Sequence, residues 1–435
     1  MSRKIEKGPL VVSGKTKDVH EDANNNTQVI VTNRDEITKN DDASLTEQMQ
    51  GKGKYATNTT CNIFELLEKA NIPTAFVSRI LENEESFIAK KVAMIPLEVI
   101  VRRYATGSYL ERMPHLWQKE GLYRFEHLKF ELFLKTSGGN LAIDDKKIVK
   151  DLKVDDPFIE NPYDNVWNIV HPKQMNYTND NEPLAVIESS SVLDTISISE
   201  IEELTRKTFL VIEAAWAINF GFKLIDFKIE FGIDENGILV VADVVDNDSW
   251  RLHTPQGKEV SKENFRQNLP FEDISETYKL VSVLSDSLPN IKKQTIVLWR
   301  GSESDDLPSI ETLYGITVEK IVISAHKKTQ KALDMLSLIE SKYPQGGVIV
   351  AIVGMSNGLG PITGAHTNWP VINLPQGLEN NPEDIHSSLN LPSNVPAMTI
   401  KSPKNAVLEA LNILSLSNPI AAMYRRYRIE EVVNS

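Results

Sequence analysis

From Leu224 to Phe231 apolar and charged residues alternate strictly. Ile225, Phe227, Ile229 and Phe231 share one side of an extended chain, and Asp226, Lys228 and Glu230 share the other. One face suits a core and the other suits chemistry. Beyond Ile233, Asn236-Gly237 has the composition of a two-residue hairpin turn, after which Ile238–Ala242 runs apolar up to Asp243. Such a turn sets Glu230 directly opposite Asp243. Opposed carboxylates with Cβ atoms about 5 Å apart are destabilising unless a cation lies between them. Magnesium takes one or two carboxylates together with substrate phosphates, so the spacing predicts a nucleotide and metal site, with Lys228 beside it. A solvated strand face would show the same alternation.

Two other segments point the same way. Gly14-Lys15-Thr16-Lys17 follows an apolar run and offers backbone donors and two ammonium groups to phosphates, without the spacing of a P-loop. Arg102 and Arg103 end the strand pattern Pro96–Val101 and precede Tyr104-Ala105-Thr106-Gly107-Ser108. Paired guanidiniums there are costly to bury without anions and suit a phosphate or carboxylate substrate, or else they form an ordinary surface pair. Near the C-terminus three apolar runs end in small polar loops: Arg300-Gly301-Ser302-Glu303-Ser304-Asp305, Ser324-Ala325-His326-Lys327 and Gly354-Met355-Ser356-Asn357-Gly358. Loops of this kind turn a chain, but three on one sheet edge would also form an anion site.

The elements that must position these groups fall into two patterns. Up to about residue 284 strands and helices mix without regular alternation, which predicts an α+β fold. Leu10–Val19 and Gln28–Thr32 read as a hairpin across an Asn-rich loop, and Thr60 precedes an amphipathic helix through Ile63, Leu66, Leu67 and Ala70 that stops at Asn71–Pro73. Cys61, in its first turn, reads as a structural thiol. Thr136–Val154 and Tyr163–Glu188 read as polar inserted loops. A helical pattern after Arg266 leads to Ser285–Gln294, where a boundary is expected. Beyond it, strands at Thr295–Trp299, Val318–Ile323, Gly347–Val353 and Val371–Leu374 alternate with amphipathic stretches, the signature of an α/β sheet. The expected division is 1–286, a linker at 287–294, and 295–435.

The quoted segments of residues 1–286, with Asp248-Ser249-Trp250-Arg251-Leu252, resemble SAICAR synthetase, the phosphoribosylaminoimidazole-succinocarboxamide synthase family of purine biosynthesis. The resemblance implies an ATP-grasp-like domain that activates the carboxylate of carboxyaminoimidazole ribotide as an acyl phosphate with MgATP and transfers it to L-aspartate. It puts Gly14, Lys15 and Lys17 on ATP phosphates, Met94 beside adenine, and Glu230 and Asp243 on magnesium. Lys228 becomes catalytic, Arg102, Ser108 and Arg251 bind the ribotide, and Asp41, Lys135 and Asp155-Asp156-Pro157 are active-site polar groups. Thr136–Val154 departs from the family, which carries a short Asp-rich link there.

The three C-terminal loops resemble class II phosphoribosylaminoimidazole carboxylase, over about residues 293–430. This implies a three-layer, flavodoxin-like domain that carboxylates aminoimidazole ribotide directly with CO2, without ATP or biotin. Gly301, Ser302, Ser304 and Asp305 would take the substrate phosphate. Ser324, Ser356, Asn357 and Gly358 would line the site, and His326 and Lys327 would be catalytic. Arg300 and Met355 depart from the family's usual residues. Together the halves resemble the bifunctional enzymes of animals, implying a homo-octamer built on the carboxylase domains. Two alternatives are an active synthetase joined to an inert carboxylase-like domain, and a purine-nucleotide scaffold without turnover.

Composition limits the remaining choices. The chain has 435 residues and a net charge of −13, which repels phosphate backbones and anionic membrane surfaces, so no nucleic acid or membrane partner is expected. One cysteine excludes an internal disulfide framework, and the opening MSRKIEKGPL lacks an apolar signal core, so a cytoplasmic setting is expected.

Overall fold

A computed structural model of the chain describes residues 5–38, 46–174, 182–263, 270–310 and 312–434. It divides into two compact units, 1–290 and 291–435.

The first unit carries two large antiparallel sheets among its described residues, besides the two-stranded pairs Glu36–Thr38 with Thr46–Gln48 and Leu141–Ile143 with Lys146–Val149. One runs in the order Lys7–Ser13, Lys17–Asp22, Asn25–Asn33, Ser86–Lys90, Phe76–Arg79. The run Leu10–Val19 is therefore two strands rather than one. The chain folds back at Gly14–Thr16, where the Gly14 N–H donates to the Lys17 carbonyl at 2.8 Å. Helix Lys52–Lys69 packs on this sheet and on helix Phe271–Ser285. It begins two turns before Thr60, so Cys61 lies mid-helix, buried, and burial pushes its thiol up to about 12.

The second sheet places Ala185–Glu188, Val166–Val170, Phe158–Ile159, Arg124–Leu134, Leu97–Tyr104, Lys223–Ile233 and Leu239–Ala242 side by side. Ala93–Met94 and Trp250–His253 also pair with Lys223–Ile233. Both stretches expected to be loops thus contain strands: Leu141–Ile143 pairs with Lys146–Val149, and Val166–Val170 with Ala185–Glu188. Helix Ile198–Phe220 starts at a capping box between Ser197 and Glu200, ends on Gly221 in the left-handed region, and packs on Lys223–Ile233.

The second unit is a parallel sheet in the order Thr317–Val322, Thr295–Arg300, Gly347–Val353, Val371–Pro375, Met398–Thr399. Every residue of Gly347–Val353 is buried, because both faces are covered. Ile349, Ala351 and Val353 join the core beneath helices Thr329–Lys342 and Leu359–His366, and helix Pro403–Ser415 packs against this strand and its neighbour. That helix buries Ala406, Val407, Ala410, Leu411 and Leu414, so the apolar Ala406–Leu416 segment has a partner within its own unit. One alternation is missing: the described residues between Arg300 and Thr317 contain no helix.

Candidate functional site

Strand Lys223–Ile233 carries the polar site of the first unit, in a different register from the one a two-residue turn dictates. The turn is longer. The Asp234 carboxylate accepts the N–H groups of Asn236 and Ile238, both at 3.0 Å, and pairing begins at Ile233–Leu239. Glu230 consequently opposes Ala242, and Asp243 lies beyond the strand end at φ 64°. The two carboxylates are not cross-strand partners. Each meets a lysine instead, Glu230 pairing with Lys135 and Asp243 with Lys17.

On the charged face of the strand Asp226 and Glu230 are buried, while Lys228 is half-exposed. Asp226 is 3% exposed and pairs with Arg102 at 2.6 Å and Arg251 at 2.7 Å, with the Thr106 hydroxyl donating at 2.7 Å. Lys228 pairs with Glu98 at 2.6 Å. Burial alone would neutralise such groups, but each meets its counter-charge. For Glu230, burial works toward a higher pKa and is outweighed by Lys135, Lys17 and Lys228, which hold it below the usual carboxylate range. Burial likewise works against the Lys228 ammonium, yet Glu98 and Glu230 hold it above its ordinary value.

The adjacent arginines find their anions inside the protein. Arg102 donates to Glu131 at 2.6 Å as well as to Asp226, and reaches the Ser108 hydroxyl and the Thr106 carbonyl, both at 3.3 Å. Arg103 forms a two-point pair with Glu213 at 2.9 and 3.1 Å. Arg251 also meets Glu263 at 3.2 Å. Lys15 is exposed on the loop between the first two strands. Asp41 lies outside the described residues. Met94 is 45% exposed and borders an apolar cavity of about 300 Å3, lined also by Ile95, Leu141, Ile143, Leu193 and Ile233.

Lys52 and Asp246 had no local signal in the sequence, whereas Asp156 and Asp248 stand in segments quoted above. Lys52, 1% exposed, pairs with Asp248 at 3.1 Å. Burial would lower its pKa, but Asp248 and Asp246 raise it. Asp246 is pushed up to about 6 by burial and by the charge of Asp248. Asp156, at the foot of the inserted segment, is likewise pushed up to about 6 by burial and by Glu98, against the Thr136 N–H that donates to it at 3.0 Å. Glu98 falls within the strand pattern Pro96–Val101, and its pairing with Lys228 was the missing information.

In the second unit the three polar loops do follow the ends of neighbouring parallel strands. The Asp305 carboxylate accepts the Ser302 N–H at 2.8 Å, and the hydroxyls of Ser302 and Ser304 lie 2.9 Å apart. Arg300 donates to the carbonyls of Glu303 at 2.8 Å and Asp305 at 3.0 Å, so the residue that departs from the family braces this loop. The Ser324 hydroxyl accepts the Lys327 N–H at 3.3 Å. Asp384 and Ser387 accept the N–H groups of Ser356 and Asn357 at 2.8 and 2.9 Å. His326 is exposed, and its ring lies so close to Gly358 that a side chain there would overlap it. This brings the second and third loops together.

Among the described residues no three His, Cys, Asp or Glu side chains gather as a metal site, and the carboxylates expected to hold magnesium are Glu230 and Asp243. Both are hard oxygen donors of the kind a divalent ion takes, and each is neutralised here by a lysine ammonium that such an ion would have to displace.

Comparison with known proteins covers both units. The SAICAR synthetase family model matches residues 10–161 and 172–281, and the AIR carboxylase model matches 297–431. Relatives include the bifunctional phosphoribosylaminoimidazole carboxylase/phosphoribosylaminoimidazole succinocarboxamide synthetases of Drosophila melanogaster and Homo sapiens. They are 32% and 31% identical, over 94% of this chain and 90% and 91% of theirs. The phosphoribosylaminoimidazole-succinocarboxamide synthase of Roseiflexus castenholzii is 33% identical over 65% of this chain and 98% of its own. With both models matched in series and relatives aligned along nearly their whole length, the chain belongs to the bifunctional AIR carboxylase/SAICAR synthetase family of purine biosynthesis.

Proposed function

We propose that the first unit ligates carboxyaminoimidazole ribotide to L-aspartate at the expense of ATP, and that the second makes that ribotide from aminoimidazole ribotide and CO2. The observation that carries the ligase reading is the gathering of Lys17, Lys135 and Lys228 about Glu230, with Asp243 beyond the end of the neighbouring strand and paired with Lys17. Adenine lies beside Met94, and Gly14, Lys15 and Lys17 take the phosphates. Glu230 and Asp243 hold magnesium, which neutralises phosphate charge when bound. A carboxylate oxygen of the ribotide attacks the γ-phosphorus and ADP departs. The aspartate amine then attacks the acyl carbon, phosphate leaves and the amine gives up a proton. Lys228 and Lys135 stabilise the anionic oxygens of these steps. Arg251 and Ser108 meet the ribotide, with Arg102 acting as a positioning residue through Ser108 and Thr106, and Asp41 completes the polar set.

In the second unit Ser302, Ser304 and the Gly301 backbone receive the ribotide phosphate, while Asp305 holds the loop. The ring carbon of aminoimidazole ribotide attacks CO2, a carbon–carbon bond forms, and the ring proton leaves. His326 and Lys327 manage that proton and the new carboxylate, beside Ser324, Ser356, Asn357 and Gly358. No biotin enters. The strand order, second–first–third–fourth–fifth, supports a three-layer, flavodoxin-like reading with the ligand where the order reverses. The polar strand bordering an apolar cavity supports an ATP-grasp-like reading of the first unit. By family resemblance the carboxylase units form the core of a cytoplasmic homo-octamer.

The test supplies aminoimidazole ribotide, bicarbonate, aspartate and MgATP to the full chain and its His326→Ala and Asp243→Ala variants. Wild type gives succinocarboxamide. His326→Ala, losing on the order of 10²-fold or more in carboxylation, gives it only from added carboxyaminoimidazole ribotide, and Asp243→Ala stops at that intermediate. A His326→Ala protein matching wild type at low CO2 overturns the carboxylase assignment.

A further inference from the structure

Strand Thr295–Arg300 ends on an arginine, and the loop from Gly301 to Asp305 folds back over its guanidinium. One terminal nitrogen donates to the Glu303 carbonyl at 2.8 Å and to the Asp305 carbonyl at 3.0 Å, and the other pairs with the Glu303 carboxylate. The Nε is buried without a partner among the described residues, so the hydrogen bonds of this side chain all go to one short loop. Coplanar N–H bonds hold two carbonyls in a fixed relation, which an ammonium on a flexible stem does not.

Those bonds orient the loop. In a trans peptide the N–H points opposite to the carbonyl before it. With the Glu303 carbonyl turned onto Arg300, the Ser304 N–H faces the other way and donates to the Ser302 hydroxyl oxygen at 3.3 Å, which lies 2.9 Å from the Ser304 hydroxyl. Ser302 and Ser304 are both exposed. Two hydroxyls and one amide therefore gather on the open side of the loop, and donors so placed suit a tetrahedral anion. The charges are arranged to match. The Asp305 carboxylate accepts the Ser302 N–H at 2.8 Å and lies so close to Gly354 that a side chain there would crowd it, while the Glu303 carboxylate is paired with Arg300. Without the guanidinium, an approaching phosphate would meet an uncompensated carboxylate and carbonyl oxygens free to turn toward it.

We propose that Arg300 is a positioning residue of the carboxylase, holding the Glu303 and Asp305 carbonyls inward so that Ser302 and Ser304 present converging donors to the ribotide phosphate. The inference rests on the reading that this loop receives that phosphate. It predicts that substrate affinity depends on Arg300 although the guanidinium takes no part in forming the carbon–carbon bond.

The test measures, on the full chain at fixed CO2, carboxylation of aminoimidazole ribotide and its inhibition by ribose 5-phosphate. Arg300→Met should raise the KM for the ribotide and the Ki of ribose 5-phosphate about tenfold or more, with kcat within about threefold. Arg300→Lys, which keeps the charge without the fork, should weaken both to a similar degree. Glu303→Gln, which leaves the carbonyl bonds in place, should keep both within about twofold of wild type. Unchanged KM and Ki in Arg300→Met overturn the proposal, and so does a wild-type KM in Arg300→Lys, which would assign the effect to charge alone. The lysine variant carries the test if the methionine variant does not fold. Ser302→Ala with Ser304→Ala separates the two readings. If this pair raises the KM and Ki while Arg300→Met leaves them unmoved, the positioning role alone fails. If the pair too has no effect, the phosphate does not bind on this loop, and both readings fail.

Discussion

Arg102 is 2% exposed and lies between two carboxylates, Glu131 and Asp226, which explains how two successive arginines can end a buried strand. The sequence showed the guanidiniums but not their anions, which lie 29 and 124 residues away. Counter-charges at such separations have no local signature. Asp246 and Asp248 illustrate the same point from the acidic side. Asp246 at about 6 is above the ordinary carboxyl value of about 4, so the native state binds its proton more tightly than the unfolded chain does. Stability from this group is present below about pH 4 and is lost as pH rises through about 6. Asp246→Asn keeps an acceptor for the Asp248 N–H, which donates to Asp246 at 2.8 Å, but removes the charge. The variant should exceed wild type at pH 7 by on the order of 2 kcal/mol, with no difference near pH 4. Calorimetry at the two pH values checks it, and equal stability at pH 7 contradicts the assigned burial cost.

At the scale of elements, one residue of turn length decides the relation between Glu230 and Asp243. Asn236-Gly237 is a hairpin signal in any sequence, but the Asp234 carboxylate captures two N–H groups and lengthens the loop. The register moves by one, and the carboxylates part. Side-chain capture of this kind competes with the turn that the central residues favour on their own. Periodicity was more dependable where many residues reported together, as in Lys223–Ile233 and Gly347–Val353. Helix Ile198–Phe220 owes its start to a local device. Ser197→Ala removes the hydroxyl that accepts the Glu200 N–H at 3.2 Å and should cost about 1 kcal/mol, read from denaturant midpoints at unchanged slope. The cap is exposed and bonds only within its own first turn, so both activities should persist.

Over the whole molecule, each unit carries its own core and its own polar site. Asp226→Ala removes one of the two carboxylates at Arg102 and at Arg251 and the acceptor of the Thr106 hydroxyl, and should cost the first unit about 3 kcal/mol. Ligation should fall with it, while carboxylation of aminoimidazole ribotide by the same protein is retained. Assaying both reactions on one sample, beside its thermal unfolding, tests this, and parallel loss of both contradicts it. What the sequence determined by itself was the class of each half, the strands with a strong apolar pattern such as Lys223–Ile233 and Gly347–Val353, and the residue types gathered near them, because alternation and motif spacing are properties of neighbouring residues. Only the tertiary structure decided that Glu230 and Asp243 each sit against a lysine, that Arg102 is neutralised from within, that Gly358 gives room to His326, and that an apparent loop at Thr136–Val154 is a hairpin walling a cavity. Those outcomes depend on charges and surfaces brought together from distant parts of the chain, where burial sets which groups must pair.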